Sequence, residues 1–139
     1  MVNTIDMQDM RHLNLFSRVT RINTRFCAKY NDTIIFFVPK SLVMKALGRD
    51  GINLKKISEV LRKKVRIIPA PRGIHDVKSF IENIVKPVTF KDVEVKGDEI
   101  ILTAGGTQNK ASLIGRDKRR LIEMQRVIKD YFDKEFRIV

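Results

Sequence analysis

One cysteine, Cys27, and two histidines, His12 and His75, are all the thiol and imidazole in this 139-residue chain. A lone cysteine excludes an intramolecular disulfide and any cysteine-rich zinc or iron–sulfur site, and it fits a reducing cytosol. Its surroundings, Phe26-Cys27-Ala28-Lys29-Tyr30, read as a strand, so the thiol is expected to be a buried strand residue and not a nucleophile. His12 and His75 stand outside any ligand spacing and are expected at the surface, so neither a metal nor a cofactor is expected. Ser41, Ser58 and Ser112 lack a nucleophile's context, Asp98-Glu99 falls at a turn, and no phosphate-loop lysine–threonine pair follows a glycine. No catalysis is expected. No apolar run approaches the roughly 18 residues of a membrane span, and the N-terminus lacks the regions of a signal peptide. The expected compartment is the cytoplasm, with no membrane partner.

What the chain does have is positive charge. Twenty-eight Lys and Arg residues oppose sixteen Asp and Glu, a net charge of +12, with a pI near 10.1. Charge of that sign and size favours a polyanionic partner, with nucleic acid ahead of an acidic membrane surface. The excess is uneven: residues 1–72 hold 15 basic and 5 acidic residues, residues 73–139 hold 13 and 11. The first half should therefore dominate nonspecific affinity. With 43% hydrophobic residues the chain can bury a core. There is no tryptophan, there are two tyrosines, and most of the eight phenylalanines are in core phase, so aliphatic grooves would have to hold any bases.

The second feature is a repeat. Leu47-Gly48-Arg49-Asp50-Gly51-Ile52-Asn53-Leu54 returns as Ile114-Gly115-Arg116-Asp117-Lys118-Arg119-Arg120-Leu121. The helical pattern Leu54, Ile57, Val60, Leu61 returns as Leu121, Met124, Val127, Ile128. An ungapped match in glycine, charge and apolar phase implies two related modules, each built around a helix, a tight loop and a helix.

In the first module, Asp6 is placed to cap a helix whose apolar residues run Met7, Met10, Leu13, Phe16, Val19, Ile22. Arg11, Arg18, Arg21 and Arg25 lie off that stripe, as a solvated face or a phosphate-contacting flank. Strands are expected over 26–30 and 33–38 with a turn at Asn31-Asp32, then a helix capped by Ser41 to Leu47, a helix from Gly51 to about Arg62, and a strand over 65–68. Pro69-Ala70-Pro71-Arg72-Gly73 reads as a short, stiff boundary, giving domains 1–70 and 71–139. The second module repeats the order: a helix through Val77–Val85 ended by Pro87, a strand from Val88 to Val95 with a break or bulge near Asp92 where the phase holds poorly, a turn at Gly97-Asp98, a strand over 99–103, and a longer loop at Gly105–Asn109. A short helix to Ile114, a helix from Arg119 to about Phe132 and a strand over 136–139 complete it. The fold class is α+β, with each module α-β-β-α-α-β around a three-stranded sheet.

A Gly-x-x-Gly between two helices has a specific use. Glycine permits positive φ and removes side chains that would hold a ligand off, so that amides at the next helix start can meet phosphate oxygens. Arg49 and Arg116 hold the same middle position and would add an ion pair. Lys118 stands where the first loop has Gly51, and lysine disfavours positive φ. One reading makes Lys118 the first residue of a helix capped by Asp117, bringing charge in place of close backbone approach. Asp50 and Asp117 either cap the following helices or weaken phosphate binding.

This order, with its glycine loop, resembles the type II KH domain, and a tandem of two resembles the archaeal NusA-like transcription factors. The resemblance covers about residues 6–139. It implies single-stranded RNA as the partner, gripped at about four nucleotides per module, with RNA polymerase or other transcription proteins as further partners and a monomeric chain. By position it assigns RNA binding to Gly48, Arg49, Asp50, Gly51 and Lys55 in the first module, and to Gly115, Arg116, Asp117, Lys118 and Arg119 in the second. Two other readings stay open: a KH protein of ribosome assembly or RNA turnover, and a protein–protein adaptor with this fold.

Overall fold

Apolar side chains three and four residues apart put Leu13, Phe16 and Val19 on one face of helix α1 (Met7–Thr20). The structure, a computed structural model, describes residues 7–139; Asp6, expected to cap α1, lies outside the described residues. The helix ends where Arg21 turns to a φ of 61°. There the Thr20 hydroxyl donates to the Phe16 carbonyl and accepts from the Ile22 amide, which sends Ile22 inward although it lies beyond the helix. Met7 and Met10 face solvent, so the expected stripe is buried only from Leu13 onward.

Contacts divide the chain into two units with a boundary between Ala70 and Pro71. In the first, strands β1 (Cys27–Tyr30) and β2 (Thr33–Val38) form an antiparallel hairpin. Its turn residues Asn31 and Asp32 both take positive φ, 51° and 59°, the backbone that matches the twist of paired strands. Helices α2 (Val43–Leu47) and α3 (Ile52–Leu61) then carry the chain to strand β3 (Lys64–Pro69), parallel to β2 from Thr33↔Lys64 to Val38↔Pro69. Alternation along β2 points Ile34, Phe36 and Val38 into one core with Phe16, Ala46, Ile57 and Val65. The rings of Phe16 and Phe36 stack with centroids 4.5 Å apart. Ser41 does not cap: a 3₁₀ turn, Lys40–Leu42, opens after Pro39 without any side-chain cap. Strand β3 reaches one residue further at each end than expected, and Pro69 is accommodated because it ends an edge strand.

The second unit repeats the order. Helix α4 (Val77–Val85) leads to the antiparallel strands β4 (Asp92–Lys96) and β5 (Glu99–Thr103), then to helices α5 (Thr107–Ile114) and α6 (Arg119–Phe132), and to strand β6 (Glu135–Ile138), parallel to β5. Phe80 on α4 packs edge-on against Tyr131 and Phe132, at 5.2 and 6.0 Å, over a core that includes Ile84, Ile100, Leu102, Met124, Ile128 and Phe136. The expected strand from Val88 begins only at Asp92; before it, the Lys91 amide bonds the Thr103 carbonyl without extending the ladder. Gln108 and Asn109, expected in a loop, are helical, since Gly105 (φ 84°) completes the turn early. Strand β6 starts at Glu135 and stops before Val139. Both units are thus α+β, each with a three-stranded sheet and an α-β-β-α-α-β order.

Candidate nucleic-acid interface

The loops between α2 and α3 and between α5 and α6 have the same backbone. Gly48 and Gly115 sit at φ/ψ of 78°/173° and 76°/171°. Asp50 and Asp117 follow at 56°/26° and 56°/29°, then Gly51 at 71°/22° and Lys118 at 60°/21°. The first position lies in a region that only glycine enters readily, whereas the last two are left-handed helical, a conformation that Asp tolerates and other residues take at moderate cost. That is why both loops keep their first glycine while the second can be lysine. Close packing adds to the demand: a Cβ on Gly48 would stand 2.8 Å from the Asn53 side chain, and one on Gly115 2.9 Å from Arg120 Cγ. A Cβ on Gly51 would meet nothing.

Lys118 is therefore not the first residue of a helix capped by Asp117. It is itself the left-handed N-cap of α6, as Gly51 is of α3, and neither cap carries a side-chain hydrogen bond. Asp50 and Asp117 do not cap the following helices either. Two amides close each loop from within. Gly51 N–H donates to the Gly48 carbonyl and Ile52 N–H to that of Arg49; Lys118 and Arg119 repeat these bonds to Gly115 and Arg116. The amides of Arg49, Asp50, Asn53 and Leu54 lie outside these loop-closing bonds.

Around this frame the side chains divide by role. Arg49, Asp50, Arg116, Asp117 and Lys118 are exposed. Arg120 turns back and donates from Nη1 to the Ser112 carbonyl at 2.9 Å, tying α6 to α5, so of the Lys118-Arg119-Arg120 run it is a brace. On the first turn after each loop, positions three apart share a face. They are Ile52 (51% exposed) and Lys55 in α3, and Arg119 and Ile122 (58% exposed) in α6: one cation and one bare aliphatic residue each, in opposite order. Met44 on α2, 79% exposed, adds a further apolar surface near the first loop in sequence. Ile52, Ile122 and Met44 had no signal in the sequence beyond their phase, since an apolar residue at a helix start reads as core.

Over 100 residues, 70% of its length, the chain is 28% identical to the probable transcription termination protein NusA of Methanococcus vannielii. The chain is similar to NusA. Identity is 29% over 89 residues to the protein of that name from Methanocaldococcus jannaschii, and 23% over 132 residues to that from Halococcus morrhuae, where the match takes in 94% of this chain and 93% of the relative. The chain spans about half the length of the first two relatives, 56% and 47%. No family model matches it. The crystal structure of APE1850 superposes with a TM-score of 0.67 at 19% identity over 97% of this chain and 99% of the other, a likeness of fold. The curated relatives carry the name of a termination protein and not of an enzyme, and no described helix is long and apolar enough to cross a membrane.

Away from the loops, the structure brings together residues that sequence spacing kept apart. Cys27 opens β1 and is half-buried, and its thiol lies 3.9 Å from the Asp9 carbonyl oxygen and 3.8 Å from Asp9 Oδ1. His12, one helical turn on from Asp9, is half-buried beside them. It is not the isolated surface histidine that the sequence suggested.

Proposed function

We propose that this chain is a NusA-like RNA-binding protein of transcription elongation and termination, a tandem of two type II KH modules (1–70 and 71–139) that hold single-stranded RNA without chemistry. The observation that carries this reading is one unusual loop backbone built twice, in a chain of charge +12. Gly48 and Gly115 clear the approach for a sugar-phosphate backbone. Arg49 and Arg116 supply the ion pair. Lys55 and Arg119 add charge on the adjoining helical turn, and the exposed Ile52, Met44 and Ile122 offer aliphatic contact to bases in a chain without tryptophan. Because Lys118 follows the path of Gly51, the second module keeps the loop's shape and gains a cation, so both modules take part. Asp50 and Asp117 limit how tightly phosphate is held, which suits a factor that moves along a transcript. The protein works in the cytoplasm as a monomer, with RNA polymerase or other transcription proteins as further partners. The names of the relatives support the setting in transcription.

The test is fluorescence anisotropy of a short unstructured RNA with wild type, Arg49→Asp and Arg116→Asp at two salt concentrations. Both substitutions should weaken binding by about tenfold or more, Arg49→Asp the more strongly because its half carries most of the net charge. Each lost phosphate contact should flatten the log–log salt slope by about 0.7. If wild type does not bind, or binding survives high salt and ignores both arginines, the RNA reading fails and a protein-adaptor role takes its place.

A further inference from the structure

We propose that Asp9, His12 and Cys27 form a site for one divalent d-block ion of the zinc type, bound by a carboxylate, an imidazole and a thiolate. Asp9 and His12 are three apart on α1 and so share a face, and the first residue of β1 lies against that face. One donor atom from each residue lies within 4.8 Å of the other two. A tetrahedral zinc ion with ordinary bond lengths holds a sulfur and an oxygen about 3.6 Å apart. Cys27 Sγ and Asp9 Oδ1 stand 3.8 Å apart, close to that spacing before any ion enters. The imidazole must close by no more than about 1.5 Å to reach its own tetrahedral distance, within the range of a rotamer adjustment.

The donor set also selects the ion. Thiolate and imidazole favour zinc and its neighbours over magnesium or calcium, which prefer oxygen alone. All three residues are half-buried, so an ion can enter and a water can complete the fourth position. On binding, the Cys27 S–H bond breaks as the sulfur–metal bond forms, and the proton passes to solvent. No oxidation change is involved. The ion would clip α1 to β1 across residues 9–27 and so steady the helix that supplies Phe16 to the core of the first unit. This site is independent of the loop chemistry, and its test does not use RNA.

The experiment is titration of the reduced full-length protein with Co²⁺. It should give a complex of one ion per chain, with thiolate-to-cobalt charge-transfer absorption and the strong visible bands of four-coordinate cobalt, all displaced by Zn²⁺. Zn²⁺ should also raise the melting temperature. Cys27→Ser should abolish the charge-transfer band, and His12→Gln and Asp9→Asn should each weaken binding by more than about 100-fold, beyond what loss of an outer partner costs. These replacements are close in size to the native side chains, and far-UV circular dichroism without metal should match wild type. A weak six-coordinate cobalt spectrum without charge transfer would overturn the proposal. So would charge transfer that survives in both His12→Gln and Asp9→Asn, since the thiol would then be binding alone.

Discussion

Alanine at Gly48 and Gly51, and glycine at Lys118, should separate the two kinds of backbone that the loops contain. Gly48 needs a φ/ψ of 78°/173°, a region whose occupation by other residues costs about 1–3 kcal/mol. Its new Cβ would also stand 2.8 Å from the half-buried Asn53 side chain, which must move. Together these give about 2–4 kcal/mol lost in Gly48→Ala. Gly51 needs only left-handed helix, at 71°/22°, and its Cβ would project into open space. Strain of about 1–2 kcal/mol, offset in part by a stiffer unfolded chain, leaves about 1 kcal/mol for Gly51→Ala. Lys118→Gly removes similar strain but frees the unfolded backbone, so it should fall within about 0.5 kcal/mol of wild type. In a unit of this size 1 kcal/mol moves the melting temperature by about 4–8 °C. With no tryptophan and a single tyrosine in each unit, Tyr30 emission in a Tyr131→Phe background reports the first unit through a urea or thermal melt. In the same samples Gly51→Lys, which copies the second loop into the first, should keep RNA affinity, whereas Gly48→Ala should lose it. Gly51→Ala as damaging as Gly48→Ala would refute the division between glycine-only and merely left-handed positions. A gain above about 2 kcal/mol from Lys118→Gly would refute it as well.

Two further outcomes test the second unit. Arg120→Ala removes the bond from Nη1 to the Ser112 carbonyl and should cost about 1–2 kcal/mol in a urea melt followed through Tyr131, while Arg119→Ala on the exposed side should stay within about 0.5 kcal/mol. The Asp76 carboxyl accepts the Arg72 amide at 2.9 Å and lies near the Arg72 and His75 side chains. The amide bond first, and those charges after it, hold its pKa below the ordinary 3.8. A carboxyl lowered in the folded state gives stability that is present above its unfolded pKa and lost as pH falls through the folded one. Melting temperature should therefore drop below about pH 4 more steeply for wild type than for Asp76→Asn, and equal pH profiles would count against the contact.

Much of the fold was legible because it follows from local rules. The hairpin at Asn31-Asp32, the strand that closes the first module and the helices α3, α4 and α6 came from alternation, helical phase and turn residues, all properties of short stretches. The paired loops were legible because a repeat at fixed offset needs no knowledge of contacts. The errors lay where a neighbour decides. Val88 to Lys91 alternates like a strand but lies outside the ladder, with the Lys91 amide bonded to the Thr103 carbonyl just beyond its end, and Ser41 could not cap a turn that opens one residue earlier. Lysine by itself avoids positive φ, but two loop-closing hydrogen bonds and the Arg120 side chain packed over Gly115 hold the Lys118 backbone regardless of that preference, which decides between the two readings of this position. The exposed faces of Ile52 and Ile122 depend on which side of a helix is turned to the sheet. The meeting of Asp9 and His12 with Cys27 depends on α1 folding back across β1, a contact between residues up to 18 positions apart. Sequence by itself determined the elements, the repeat and the sign of the charge, since those are written in residue type and spacing. Only tertiary structure decided which polar groups converge, because convergence is a property of packed neighbours and leaves no period in the chain.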